Sequence, residues 1–276
     1  MILFNTHTHT EYSPDGRSTI EEHIQKARSL GVSYVAFTDH FDFLQMGLDV
    51  CDTDHIAVQM EHYRKMVADM AEHKVRCKKE GIFLECGIEI GWDGAVYEKY
   101  ASQLLRDDKI DYVINSIHDV DGQSCYHPEF FDGRTQHKGY ALYLEWVYKS
   151  LFAEYRFDTV GHIGYCCRNA PFAKNPLDYQ AHKSILDKIL TKIARDGKVI
   201  ELNTSVNSAQ TDTLASLEIL QVFKKMGGEN ITFAADAHHC KDLVRGFEMA
   251  KIVAKRAGFD WYSIKKDGVW EKVSID

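Results

Sequence analysis

The sequence is poor in the features that mark several large classes of protein. Four prolines in 276 residues, and no polar low-complexity tract, argue against a disordered chain. No apolar stretch approaches the ~20 residues that span a bilayer. The first five residues lack the basic start and apolar core of a signal peptide. We therefore expect a folded protein with no membrane partner and a cytoplasmic location.

Cysteine spacing and basic charge exclude further classes. The seven cysteines include no Cys-x-x-Cys pair, and Cys166 and Cys167 are adjacent. This pattern supports neither a disulfide framework nor a zinc ribbon, so we expect reduced, space-filling thiols. The 33 basic against 41 acidic residues give a net charge of −8, which argues against long nucleic acids as partners. The oligomeric state is left open.

Short β-branched apolar runs alternate along the chain with segments of helical period. This alternation is typical of parallel βαβ units, and its even spread predicts one α/β domain, residues 1–276, built as a closed barrel. The seven predicted strands are Ile2–His7, Tyr34–Thr38, Phe83–Ile90, Tyr112–Ile117, Thr159–Ile163, Val199–Asn203 and Ile231–Ala235.

Helix signals separate the predicted strands. Ser18 and Glu21 form a predicted capping box that opens a helix ending at Gly31. Apolar residues at spacings of three and four predict a helix from Asp54 to Glu80. We expect the histidines within helices, which are His23, His55, His62, His73 and His182, to lie on solvated faces. The stretches 41–53 and 119–138 interrupt the rhythm after strand ends, where active-site loops are expected.

Histidine is the residue in surplus, with fourteen in the chain and no His-tag run. Six predicted strands end in or carry histidine or acidic residues, and neutral imidazole is a frequent metal ligand. One such histidine is ordinarily a satisfied or exposed polar residue, but the repetition over six strands indicates a shared site. Strand alternation places His7 and His9 on one face, and Asp236 and His238 likewise, so both pairs can point to a common centre.

In these motifs the chain resembles the PHP (polymerase and histidinol phosphatase) superfamily, within it the histidinol-phosphatase branch. The matching pieces occur in family order over nearly the whole chain. They are Asn5-Thr6-His7-Thr8-His9, Tyr12-Ser13-Pro14-Asp15-Gly16, Thr38-Asp39-His40, Gly87-Ile88-Glu89, Ser116-Ile117-His118, Gly161-His162-Ile163, Glu201-Leu202-Asn203-Thr204-Ser205 and Asp236-Ala237-His238.

The resemblance implies a distorted (β/α)7 TIM-like barrel with up to three divalent metals at the C-terminal ends of the strands. It implies one metal held by His7, His9, Glu89 and Asp236. Glu89 would bridge to a second, held also by His118 and His162. A third would be held by Asp15, His40 and His238.

The implied chemistry is metal-dependent hydrolysis of a phosphomonoester. Three carboxylates and three divalent ions give a net charge of about +3, which suits a phosphate dianion. Mixed histidine and carboxylate ligands fit zinc, manganese or iron better than magnesium. A hydroxide bridging two ions would attack phosphorus, with Glu89, Asp236 and His238 as catalytic residues and the general acid left unassigned.

Substrate residues follow the same strands. Arg168 is the candidate for bidentate phosphate contact, and Asn203 and Ser205 are candidates for phosphate or the polar end of a small phosphorylated metabolite. L-Histidinol phosphate, an intermediate of histidine biosynthesis, is the leading substrate.

Two departures from the family pattern keep alternatives open. Val206–Gln210 replaces a glycine and a basic residue common in histidinol-phosphatase relatives, and Asn5 replaces a frequent aspartate, where it can still orient a ligand. One alternative is a PHP phosphoesterase acting on another metabolite, a nucleotide or a nucleic-acid end. The other is a non-catalytic metal-binding barrel.

Overall fold

Seven parallel strands form a nearly closed barrel with helices outside it. The computed structural model describes residues 3–42, 53–106, 109–206 and 212–276. Most of the interruption predicted at 41–53, the residues 207–210 and the predicted start of the first strand at Ile2 lie outside the described residues.

Elements are numbered in chain order, and most predicted strands and helices match them within a few residues. The strands are β1 (Leu3–Asn5), β2 (Val32–Phe41), β3 (Phe83–Gly91), β4 (Tyr112–Ser116), β5 (Asp119–Val120), β6 (Gln123–Ser124), β7 (Thr159–Val160), β8 (Val199–Asn203), β9 (Ile231–Ala234), β10 (Trp261–Lys266) and β11 (Val269–Ser274). The helices are α1 (Ile20–Leu30), α2 (Thr53–Lys79), α3 (Ala95–Leu104), α4 (Gln136–Ser150), α5 (Lys183–Arg195), α6 (Leu217–Lys225) and α7 (Phe247–Arg256).

The barrel sheet has the strand order β1-β2-β3-β4-β7-β8-β9, with every pair parallel. Thr8, after β1, and Ala237, after β9, form a parallel bridge that joins the two edges of the sheet. The His9 N–H donates to the Ala237 carbonyl at 3.0 Å. The predicted distorted (β/α)7 barrel is therefore confirmed, and its closure lies at the C-terminal end that carries the histidines.

Hydrophobic burial explains why the elements assemble. All five residues of β4 and of β8 are buried, as expected for strands covered on both faces. The helices bury one stripe each, and α5 buries Leu186, Ile189, Leu190 and Ile193 at helical spacing.

The start of α1 differs from the prediction by one residue. Thr19, not Ser18, caps the helix, and it forms a capping box with Glu22. The Ser18 hydroxyl instead accepts a hydrogen bond from the Cys240 N–H at 3.1 Å. Both residues fit the capping pattern, and the tertiary contact of Ser18 decides between them. The predicted end at Gly31 is confirmed by its left-handed conformation, with φ 69°.

The expectation that helical histidines face solvent was wrong for two of them. His23 on α1 is fully buried, and His182 before α5 is 6% exposed. His23 packs edge-to-face against Phe37 of β2, and burial lowers its pKa to about 4. An imidazole that stays neutral is compatible with a core position, which helical periodicity alone does not reveal.

The C-terminal hairpin β10–β11, which the sequence did not predict, covers the N-terminal end of the barrel. The Tyr34 hydroxyl donates to the Lys265 carbonyl at 2.9 Å, and Lys265 pairs with Asp158 at 2.7 Å. The Tyr262 ring stacks on Phe233 with centroids 4.6 Å apart. The end of the barrel opposite the histidines is thereby filled with side chains.

No helix in the described part of the chain is both long and apolar enough to cross a membrane.

We expect Ile264→Ala to lower the free energy of unfolding by about 2–5 kcal/mol, because it leaves a cavity between the hairpin and the barrel. Ile264 is fully buried, whereas Val269 on the same hairpin is 64% exposed. The control Val269→Ala is therefore expected to cost less than about 0.5 kcal/mol. Guanidinium unfolding measures both, and equal losses would contradict the packing role of the hairpin.

Candidate metal centre

The C-terminal ends of six barrel strands, with the loop after β1, bring nine predicted side chains together. Parallel strands of a barrel all end at the same face, so residues distant in sequence meet there. The nine side chains are those of His7, His9, Asp15, His40, Glu89, His118, His162, Asp236 and His238. The side chains of Asp15 and His238 are the most accessible, at 48% and 28% exposed, and the other seven residues are buried.

The fully buried carboxylate of Glu89 lies at the centre of this group. Facing its Oε2 are His7 Nε2, His9 Nε2 and His40 Nδ1, at 3.3, 3.5 and 2.9 Å. Facing its Oε1 are His118 Nε2 and His162 Nε2, at 3.2 and 2.8 Å. The two oxygens therefore face separate sets of imidazoles, an arrangement that suits a carboxylate bridging two cations.

A second carboxylate, Asp236, completes the group near His9. Its Oδ1 lies 3.3 Å from His9 Nε2 and 3.6 Å from His238 Nδ1. Asp236 has a φ of 49°, in the left-handed region that non-glycine residues seldom occupy. This local conformation is what aims the carboxylate at the histidines, and such strain is typical of functional sites.

The third predicted group lies nearest to solvent. Asp15 Oδ2 is 3.0 Å from His238 Nε2, and Asp15 Oδ1 is 3.6 Å from His40 Nε2. His40 thus faces both Asp15 and Glu89 through its two ring nitrogens. The rings of His40 and His238 both pack against His9, with centroids 4.1 and 4.2 Å from it, and they lie 5.8 Å from each other.

The loop that carries Asp15 is shaped by the buried carboxylate of Asp39. Asp39 accepts hydrogen bonds from the Thr10 N–H and the Ser13 hydroxyl, both at 2.6 Å. A Cβ at Gly16 would lie 1.7 Å from the Thr10 carbonyl oxygen, so only glycine fits this turn.

Two carboxylates that the sequence analysis did not assign to the site bind the outer nitrogens of its histidines. Glu201 Oε1 lies 2.7 Å from His7 Nδ1, and Asp42 Oδ2 lies 2.7 Å from His118 Nδ1. Such contacts fix the ring orientation and leave Nε2 facing the centre. Their signal was their place within β8 and directly after β2, but the strand pattern does not show which carboxylate meets which ring.

Asn5 acts through the backbone. Its Oδ1 accepts from the His7 N–H at 3.2 Å and from the Ala235 N–H at 3.1 Å. The amide therefore ties β1 to β9 and orients a candidate ligand through the main chain.

The electrostatics of the group show close coupling between imidazoles and carboxylates. Burial lowers the pKa of His7, but the carboxylates of Glu201, Glu89 and Asp236 outweigh it and raise that pKa well above its usual value. Burial also lowers the pKa of His9, and the neighbouring His40 and His238 add to this, so its pKa lies well below the usual value.

Neighbouring positive charges lower the pKa values of the two central carboxylates. Burial raises the pKa of Glu89, yet His7 and His118 bring it well below its ordinary range. Asp236 behaves in the same way beside Arg168 and His7. Both carboxylates are therefore ionised and suited to bind a cation.

The donor set fits divalent metal ions. Glu89 Oε2 and His40 Nδ1 are buried, and they face each other at 2.9 Å without the geometry of a hydrogen bond. Three combinations of ligand atoms lie within 4.8 Å of one another: His9, His40 and His238; His7, His9 and Glu89; and His40, Glu89 and His118. Buried imidazole and carboxylate ligand atoms that converge this closely could hold a cation, and mixed nitrogen and oxygen ligands suit zinc.

The predicted substrate residues adjoin this centre. Arg168 Nη2 donates to Asp236 Oδ2 at 2.5 Å and to Asn203 Oδ1 at 3.0 Å. The Ser205 N–H also donates to Asn203 Oδ1, at 2.8 Å. Asn203 Nδ2 donates to Glu201 and Asp236. The Asn203 amide is thus a junction between the arginine and the carboxylates.

Comparison with known proteins places the chain in a family. The sequence pattern of the PHP domain matches residues 5–205, most of the chain. The chain belongs to the PHP family. The recognition made from the sequence motifs is confirmed at this level.

Relatives of similar length match this chain over nearly all of its residues. A histidinol-phosphatase of Lactococcus lactis is 26% identical over 94% of this chain and 93% of its own. A probable phosphatase of Thermoanaerobacter sp. is 27% identical over 93% and 87%. The solved histidinol phosphate phosphatase of L. lactis, complexed with zinc, L-histidinol and phosphate, is 23% identical with a TM-score of 0.81, covering 98% of this PHP chain and 99% of its own. This last likeness supports the fold.

Replacing Glu201 by Gln is expected to weaken zinc affinity about 10- to 100-fold, because His7 loses the charged acceptor on its outer nitrogen. Competition with a chromogenic chelator measures the affinity. Glu85→Gln is the matched control, since Glu85 is equally buried on β3 but lies at the opposite end of the barrel. Unchanged zinc affinity in Glu201→Gln would show that this carboxylate does not support the centre.

Proposed function

We propose that the protein is a metal-dependent phosphomonoester hydrolase whose substrate is L-histidinol phosphate. The observation that carries the proposal is the convergence of nine ligand-competent side chains beside a buried arginine. Buried imidazoles and carboxylates at this density have no structural use in a barrel core, whereas a metal-dependent phosphatase uses such side chains to hold its ions. We also propose that residues 1–276 act as one catalytic domain, because β10–β11 fills the barrel end opposite the site.

The ligands are assigned as the sequence motifs imply. His7, His9, Glu89 and Asp236 would hold one ion, and Glu89, His118 and His162 a second. Asp15, His40 and His238 would hold a third. When bound, such ions supply Lewis acidity toward phosphate oxygens and lower the pKa of a coordinated water.

Arg168 is proposed to bind the phosphate. Its guanidinium is buried and held by Asp236 and Asn203, so its orientation is fixed before substrate arrives. A preoriented, always charged group stabilises phosphate oxygens at little cost in side-chain entropy. Asn203 orients this arginine, and Ser205, half-buried beside it, is proposed to contact the polar end of the substrate.

Proton transfer is proposed to involve the outer residues of the centre. His238 lies between Asp15 and Asp236 and is 28% exposed, so it can exchange protons with solvent. Asp236 and Glu89 are held ionised by their surroundings and would serve as hydrogen-bond acceptors. Protonation of the leaving alcohol is not assigned to a residue.

The choice of substrate is supported by the names of full-length relatives, which include histidinol-phosphatases of L. lactis and, as probable, of Thermotoga maritima. Zinc is the metal named with the solved relative. Manganese or iron in its place, the role in histidine biosynthesis and the cytoplasmic location stay predictions.

Purified protein loaded with Zn²⁺ or Mn²⁺ is expected to release phosphate from L-histidinol phosphate at least 100-fold faster than from glycerol phosphate. Phosphate release measured over a panel of phosphorylated metabolites tests this. Loss of turnover in His9→Ala would exclude a purely metal-binding barrel. Equal slow rates on all monoesters would overturn the substrate and leave only the reaction class.

Arg168→Lys is expected to lower kcat/KM about 10- to 1000-fold, because lysine keeps the charge but loses the two-pronged contact with phosphate. Steady-state kinetics with L-histidinol phosphate measures the loss. Arg156→Lys is the control, since Arg156 donates to the Ile110 carbonyl beside β4, away from the metal centre. Equal kinetics for the two variants would contradict a phosphate contact by Arg168.

A further inference from the structure

One exposed aromatic side chain adjoins the metal centre. Large exposed hydrophobic side chains among the described residues are Val58, Val75, Tyr126, Phe152, Ile252, Val269 and Trp270. Six of them lie on or just after outer helices or on the C-terminal hairpin. Tyr126, 42% exposed, instead follows β6 in the loop after β4, at the face of the barrel where the histidines converge.

The position of Tyr126 is fixed by its neighbour. The Cys125 N–H donates to the His118 carbonyl at 2.9 Å, and Cys125 is buried. This hydrogen bond ties the loop to the backbone of His118, a candidate metal ligand. An aromatic side chain one residue later is held near the mouth of the site.

Ring contacts connect Tyr126 to the centre through Tyr165. The Tyr165 ring stacks on His162 with centroids 4.7 Å apart and lies 5.0 Å from His118. Tyr126 packs against Tyr165 at 5.8 Å with the ring planes tilted by 36°. Gly164, with φ 111°, makes the turn that folds Tyr165 back onto His162.

Arg168 borders the same surface. Its guanidinium lies 4.8 Å from the centroid of the Tyr165 ring. The proposed phosphate site and the two tyrosines are therefore contiguous. A leaving alcohol that extends from a phosphate bound at Arg168 would pass the Tyr165 ring, with Tyr126 packed beyond it.

Resting on the proposed phosphomonoesterase activity, we propose that Tyr126 forms an aromatic wall that selects phosphomonoesters whose leaving alcohol carries a flat aromatic ring. Offset stacking on a half-exposed tyrosine favours a planar ring and offers little to an aliphatic chain. An imidazole is one such ring, but the inference covers any ring of similar size. Tyr126 is thus a specificity residue, separate from the metal ligands.

The test compares three substrates with the zinc-loaded enzyme. Benzyl phosphate carries a ring without an ammonium group, ethanolamine phosphate an ammonium group without a ring, and L-histidinol phosphate both. Tyr126→Ala is expected to raise KM for the two ring-bearing substrates about three- to tenfold more than for ethanolamine phosphate, with kcat changed less. Tyr126→Phe retains the ring and is expected to keep the preference.

Phe152→Ala is the matched control, because Phe152 is 56% exposed after α4, where the chain returns to the opposite end of the barrel. It is expected to behave as the wild type. The inference is overturned if the wild type does not prefer benzyl over ethanolamine phosphate, or if Tyr126→Ala affects both equally. A benzyl preference with poor turnover of L-histidinol phosphate would instead overturn the proposed substrate and leave the aromatic wall standing.

Discussion

The carboxylate of Glu89 is the group on which the site depends. It is fully buried, and five imidazoles surround its two oxygens. A buried ionised carboxylate is costly unless cations compensate it, and His7 and His118 beside Glu89 lower its pKa in this way. Metal ions bound at Glu89 would supply further positive charge, so burial of this carboxylate would favour cation binding. The acidic net charge of the chain therefore does not exclude an anionic substrate.

The N-terminal end of the barrel is closed by packing, whereas the C-terminal end carries the candidate site. At the N-terminal end, β10–β11 covers the strands with Tyr262 and Ile264 and with the ion pair between Lys265 and Asp158. At the C-terminal end, loops carry polar residues, and Asp236 has a strained backbone. Strain and buried charge at one end are tolerated because packing at the other end is extensive.

Carboxylates around the centre contact the outer ring nitrogens of its histidines and so fix the orientation of the rings. Glu201 contacts His7 and Asn203, and Asn203 in turn contacts Arg168. The proposed metal ligands and the proposed phosphate-binding arginine are thereby linked through one buried network. The tyrosines beside His162 extend the site outward, so the centre would determine the reaction and the mouth the choice of leaving group.

The sequence alone predicted seven parallel strands in a barrel and eight of the nine candidate ligands at or near strand ends, because strand period and end position are local properties. Asp15, in the loop after β1, was implied only by the resemblance in motifs. It did not reveal α3 or the C-terminal hairpin, and it placed His23 on a solvated face. Only the tertiary structure decided which carboxylate meets which imidazole, that Thr19 rather than Ser18 caps α1, and that Tyr126 lies beside Tyr165. Those facts depend on contacts between residues far apart in the chain, which no local pattern encodes.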